Sequence, residues 1–158
     1  MTTPRAERVV TESRAVDSRL LLAKFKSKQC NTSIIMCYAP TNYAPEDEYY
    51  EELQSVIHEI PERDMKIVIG DFNAEIGKIN HGIENAMGVD GLGEVAYENG
   101  AHFISFCSAN NLVIGSTLFQ HKDIHKYTWI SLCGNYENQR DHIPLNKERR
   151  RTKKYEQL

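Results

Sequence analysis

The stretch Lys66-Ile67-Val68-Ile69-Gly70-Asp71-Phe72-Asn73 decides the fold. Its first half is a short apolar run rich in β-branched residues and closed by a glycine. Such a run reads as a strand buried on both faces, in a sheet covered by helices. Gly70 ends it and leaves Asp71 and Asn73 at the strand's carboxyl end, where open α/β sheets receive their ligands. Aspartate offers a hard oxygen for Mg²⁺ or a base for water, and asparagine a donor for a phosphate oxygen. Gly, Asp and Asn are also ordinary turn formers, so the tetrapeptide alone reads equally as a plain turn.

Working upstream, Leu20–Phe25 and Thr32–Tyr38 read as strands joined by the polar turn 26–31, and Pro40 breaks the second. Tyr50, Leu53, Ile57 and Ile60 recur at spacings of three and four, with Tyr49 and Val56 widening the stripe. That spacing predicts a helix opened by Pro45 and the acidic Glu46, Asp47 and Glu48, and stopped by Pro61. Downstream, the glycines of 77–97 mark a loop, and a second helix is expected over Asn99–Asn110, with Phe103, Ile104, Phe106 and Cys107 inward. Leu112–Gly115 reads as another buried strand. Thr128–Ile130 and the region Tyr136–Leu145 read as strands around a turn at Gly134-Asn135. Strands interleaved with helices define an α/β protein.

The chain has 158 residues, enough for one domain or a piece of one, with 41% apolar and 26% charged residues. That composition excludes collagen-like, wholly disordered and disulfide-scaffold classes. The net charge of −3, from 19 basic and 22 acidic residues, excludes a histone-like protein but not local nucleic-acid binding. No run approaches a membrane-spanning length, and no apolar stretch follows Arg5, Arg8 and Arg14 as a signal peptide requires. Cys30, Cys37, Cys107 and Cys133 lack metal or framework spacing and read as reduced, mostly buried thiols. The expectation is an intracellular protein of nucleus or cytoplasm, not a secreted one. Three segments are expected: a polar arm over 1–18, a folded α/β domain over 19–145, and a basic tail over 146–158 carrying Arg149, Arg150, Arg151, Lys153 and Lys154.

The order of Cys37–Asn42, Ile67–Ala74, Thr128–Ser131 and Asp141-His142 resembles the endonuclease/exonuclease/phosphatase superfamily. More narrowly, it is similar to the endonuclease region that accompanies the reverse transcriptase of RTE-type non-LTR retrotransposons. Non-catalytic stretches share the likeness, among them Gly91–Glu94, Glu98–Gly100 and Asn111–Lys126. The resemblance implies a four-layer α/β sandwich and Mg²⁺-dependent hydrolysis of DNA phosphodiester bonds. Carried over by residue, Asp71 orients or deprotonates the attacking water and serves as a metal ligand, while Asn73 positions that water or the phosphate. Tyr38 approaches the phosphate from the loop after its strand. Asp141 matches the late Asp that supports the catalytic His, and Thr128 and Trp129 match the motif that shapes the substrate cleft. DNA is the implied partner, with no membrane and no nucleotide cofactor, since no phosphate-binding glycine loop with Lys and Ser/Thr occurs.

The chain departs from that pattern at both ends. The family's N-terminal strands, with their Asn and metal-binding Glu, find no counterpart, and Glu7 and Glu12 lie in no such context. No Asp follows Asp141 and no His follows His142, so the family's Ser-Asp-His motif is unmatched. His142 itself stands where the family gives no catalytic role. Arg140 replaces an apolar strand residue, and Pro144 interrupts the strand beyond it. The expectation is part of a sandwich with half a catalytic set, impaired turnover, and an exposed core prone to self-association. The alternative is an inactive remnant that binds DNA or protein. His121 and His125 have helical metal-pair spacing but lack the H-E-x-x-H context and read as solvent-facing.

Overall fold

The computed structural model describes residues 9–41, 46–94, 96 and 98–147. Pro45 and the basic tail residues Arg149–Lys154 lie outside them, as do residues 1–8 of the expected arm. The strands are β1 (Val10–Ala15), β2 (Leu20–Phe25), β3 (Thr32–Tyr38), β4 (Met65–Asp71), β5 (Leu112–Ile114), β6 (Trp129–Ile130), β7 (Glu137–Asn138), β8 (Asp141–His142) and β9 (Pro144–Asn146). The helices are α1 (Glu46–Glu59) and α2 (Glu98–Ala109). A seven-stranded sheet runs β1-β2-β3-β4-β9-β5, with β8 also on β4, while β6 and β7 form a separate two-stranded ribbon. Among the described strands only β3 and β4 pair in parallel, and α1 is the crossover between them.

Alternation explains one face of the sheet. Leu20, Leu22, Ile35 and Val68 are fully buried, and they join Leu53, Val56 and Ile57 of α1 and Phe103 of α2 in one core. At roughly 25 cal/mol per Å² of apolar surface, this shared burial is the main stabilising term of the fold. The opposite face is open across β2, β3 and β4. Leu21 pairs with Met36 and Met36 with Ile69, a lateral row of apolar side chains 38%, 56% and 38% exposed. The expected two-sided burial of the 66–69 run is therefore corrected, because both helices contribute to the core on one side only.

The expected loose arm is also corrected, since Val10–Ala15 pairs antiparallel with β2 as the sheet edge. Its half-buried positions are Val10, Glu12 and Arg14, so charged stems rather than apolar side chains carry the alternation. Glu12 takes Lys24 at 2.7 Å and Arg14 at 3.0 Å, and Arg14 also reaches Glu59 on α1. Pro144 does not end the sheet. It opens β9, a strand position that tolerates a missing N–H, and Asn146 continues the pairing with its side chain. The Asn146 Oδ1 accepts from the Lys66 N–H at 3.1 Å and its Nδ2 donates to the Asp64 carbonyl at 3.0 Å. The sheet thus reaches past the expected boundary at 145. Cysteine burial divides evenly: Cys37 and Cys107 are buried, Cys30 is half-buried and Cys133 exposed. Among the described residues, no helix is long and apolar enough to cross a membrane.

Candidate active site

Gly70 sets the site's geometry. Its φ is 154°, and a Cβ there would overlap the carbonyl oxygen of Cys37 on the neighbouring strand. A residue without a side chain therefore lets β4 press against β3 just before the acid. Asp71 ends β4, and its Oδ1 accepts from the Asn73 N–H at 2.8 Å. That side-chain turn holds Asn73 at φ 48°, a left-handed conformation asparagine tolerates. The turn and the strand-end position of Asp71 and Asn73 coincide in the structure.

The sheet brings the sequence-predicted residues into one row. Tyr38 lies beside Asp71 in the parallel pair, and Asp141 lies opposite Asp71 in the antiparallel pair. Directly opposed residues share a face and hold their Cβ atoms about 4.5–5.5 Å apart. Tyr38 is the last residue of β3 rather than part of the following loop, and it is half exposed with the Arg19 guanidinium 6.0 Å from its ring centre. Burial holds the Asp71 carboxyl above its ordinary range, and the Asp141 charge adds to that rise. The Asn73 N–H and the Arg140 charge work against it.

The remaining residues hold the row in place. The Thr128 hydroxyl accepts from the N–H groups of Arg140 (3.0 Å) and Asp141 (3.1 Å), which fixes the start of β8. Trp129 lies under the Arg140 guanidinium at 3.7 Å from ring centre to Cζ. Asn73 donates from Nδ2 to the Ala39 carbonyl at 2.8 Å, and its Oδ1 accepts from Arg140 Nη1 at 3.5 Å. Its amide is thus spent within the protein. Sequence reasoning missed two supports. Asn99 Nδ2 donates to the Asn73 carbonyl at 3.3 Å, and Gly100 lets α2 approach the Glu75 carbonyl, where a Cβ would collide. The Glu98–Gly100 stretch held that signal, since asparagine before glycine is unusual inside a helix.

His142 is a core residue. It is 1% exposed, packs its ring 5.3 Å from Phe103, and hydrogen-bonds the Ala74 carbonyl through Nε2 at 2.8 Å and Ser116 Oγ through Nδ1 at 3.1 Å. Burial pulls its pKa down to about 4, so it is neutral at pH 7. His121 and His125 are exposed, His125 on a 3₁₀ turn (Asp123–His125). Among the described residues no group of three or more His, Cys, Asp or Glu side chains is placed to hold a metal ion. Asp71 and Asp141, paired across β4 and β8, are two carboxylates of the kind that hold Mg²⁺ together with waters and substrate phosphate.

This sheet and its parallel β3–α1–β4 crossover have the endonuclease/exonuclease/phosphatase fold. The chain is similar to craniofacial development protein 2 of Bos taurus, 40% identical over 130 residues, and to that of Tragulus javanicus, 36% identical over 142. These matches cover 80% and 88% of the chain but only 22% and 24% of the relatives, so the chain spans under a quarter of their length. Similar solved structures include the endonuclease domain of TRAS1, a telomere-specific non-LTR retrotransposon (14% identity, TM-score 0.56, 82% of this chain and 51% of that one). The AP endonuclease LMAP from Leishmania major is similar too (11%, 0.55, 84% and 47%). So is D. rerio TDP2 complexed with single-strand DNA product (15%, 0.50, 88% and 53%). No family model matches the chain.

Proposed function

We propose that this chain carries part of a DNA phosphodiester hydrolase site, in which Asp71 acts on the attacking water. The observation that carries the reading is the row Tyr38–Asp71–Asp141 at the strand ends of an endonuclease-type fold. Asp71 Oδ1 is held by the Asn73 N–H, which leaves Oδ2 to accept the water proton. With no cation beside it, burial makes Asp71 a stronger base than an exposed aspartate; a Mg²⁺ held there would reverse that shift and leave Asp71 to orient the water. The exposed Tyr38 hydroxyl donates to a phosphate oxygen, and Asn73 keeps Asp71 in register rather than touching the phosphate itself. Asp71 and Asp141 together are the oxygen ligands offered to Mg²⁺, which when bound supplies positive charge at the phosphate and acidifies a bound water.

Two features favour a second reading, a DNA- or protein-binding module without turnover. The Asn73 side chain is spent on Ala39 and Arg140, and the exposed apolar row Leu21, Met36 and Ile69 adjoins the carboxylates. Nicking of supercoiled plasmid separates the two. Mg²⁺-dependent nicking, lost in EDTA and reduced at least a hundredfold in Asp71→Ala, is the expected result for a hydrolase, since general-base groups contribute roughly 10²–10⁴ in rate. No nicking by folded protein moves the chain to the binding reading. The open row Leu21, Met36 and Ile69 lies on the same face as the site, and self-association of the isolated chain through that face belongs to the same proposal.

A further inference from the structure

Arg140 has no task in the chemistry above, yet its surroundings are specialised. Its guanidinium carbon lies over the Trp129 ring, 3.7 Å from its centre, and its backbone is pinned by the Thr128 hydroxyl. Its Nη1 reaches Asn73 Oδ1 at 3.5 Å, a long contact, while its Nε is buried with no hydrogen-bond partner. Among the described residues it forms no ion pair with a carboxylate. A buried donor of a charged group left unpaired is costly, so such an arrangement persists where something else fills it. The contact with Trp129 positions the guanidinium, and its long Nη1 contact to Asn73 is one that a phosphate oxygen can take over.

The charge around it is otherwise acidic. Asp71 and Asp141 flank the position, and the neighbouring cavity of about 690 Å³ is lined by Glu75, Glu94, Asp123 and Glu137 against the single Lys78. A polyanion approaching this region needs a fixed cation at the site itself. His142 is turned into the core and cannot supply one.

We propose that Arg140 is the phosphate-binding residue of this site, its guanidinium receiving non-bridging oxygens of a nucleic-acid phosphodiester beside Asp71 and Asn73. The inference rests on the nucleic-acid reading above but not on turnover. It also accounts for a charge at a position where an apolar strand residue was expected.

Fluorescence anisotropy with a fluorescein-labelled DNA duplex, in EDTA and over a series of KCl concentrations, tests it on the whole chain. Arg140→Gln is expected to raise Kd about tenfold and to flatten the slope of log affinity against log salt by about 0.9, one phosphate contact. Arg140→Lys is expected to keep the slope and recover part of the affinity. A residue that only braces Trp129 would move stability and leave the salt slope alone, so thermal melts of each variant accompany the titrations. Unchanged Kd and slope in folded Arg140→Gln overturn the proposal, as does a folded wild type that binds no DNA. If Arg140→Gln does not fold, Arg140→Lys decides: intermediate affinity supports the proposal and wild-type affinity overturns it. Plasmid nicking separates this inference from the hydrolase reading. Wild-type nicking with kcat and KM untouched in Arg140→Gln removes only the inference, and weakened binding without nicking in any variant removes only turnover.

Discussion

Acid is expected to destabilise this fold through one side chain, His142. The imidazole is 1% exposed, with Nε2 bonded to the Ala74 carbonyl and Nδ1 to Ser116 Oγ. Since a carbonyl only accepts, Nε2 carries the proton and Nδ1 accepts from the serine hydroxyl, which describes a neutral ring. Burial lowers its pKa from 6.5 to about 4, although the Ala74 carbonyl and the Asp141 charge both favour the proton. Between those two values the unfolded chain binds a proton that the folded chain does not. Stability is therefore complete above about 6.5 and drains away as the pH falls towards 4, by about 3 kcal/mol at 1.36 kcal/mol per unit. That is a large part of the 5–15 kcal/mol typical of a domain. Urea unfolding at several pH values between about 7.5 and 4.5 measures it, with His142→Phe as the comparison. The variant forfeits both hydrogen bonds and starts about 2 kcal/mol less stable at neutral pH. Its pH dependence is flatter, so the gap to wild type closes in acid. Parallel loss of stability in the two proteins, or an NMR titration of His142 near 6.5, would refute the reasoning.

Two further outcomes follow from the same geometry. Gly70→Ala places a Cβ on the Cys37 carbonyl at a φ of 154°, and is expected to cost at least about 3 kcal/mol through strain at that backbone conformation and separation of β3 from β4; a thermal melt matching wild type would contradict it. Met36→Lys puts a charge at the centre of the exposed row on β3 without touching the core, and sedimentation velocity is expected to show a concentration-dependent wild type and a monomeric variant; identical sedimentation of the two would remove self-association through this face.

Local chemistry made much of this fold legible. β2 and β3 occupy the spans their β-branched content and flanking turn residues indicate, and α1 follows its apolar spacing up to Pro61. Legibility ended where the pattern depends on neighbours. β1 alternates Val10, Glu12 and Arg14 inward, and nothing in those charged residues marks burial until Lys24 and Glu59 are known to meet them. The 66–69 run identifies a strand, but an apolar side chain does not say which face a helix will cover, and Ile69 lies on the open one. In the glycine-rich loop, Ala86 and Met87 are core residues because Met87 bridges to Ile114 on β5, a long-range pairing with no periodic signature.

The candidate site divides along the same line. Asp71, Asn73, Tyr38 and Asp141 were recognisable by residue type and order, and the sheet brings them together. What Thr128, Trp129, Asn99 and Arg140 do depended on the fold, because each acts through a contact made far along the chain. Side-chain alternation then joins the site to the open face. Met36 and Tyr38 project from the same side of β3, as do Ile69 and Asp71 from β4, each pair about 6–7 Å apart along its strand. The carboxylate row is thus the next step of the exposed apolar row, on one continuous surface. A partner that covered Leu21, Met36 and Ile69 and reached on to Asp71 would bury that carboxyl further and push its pKa up, since burial already dominates the shift. Through such a partner, access to the open face and the basicity of the proposed general base are coupled.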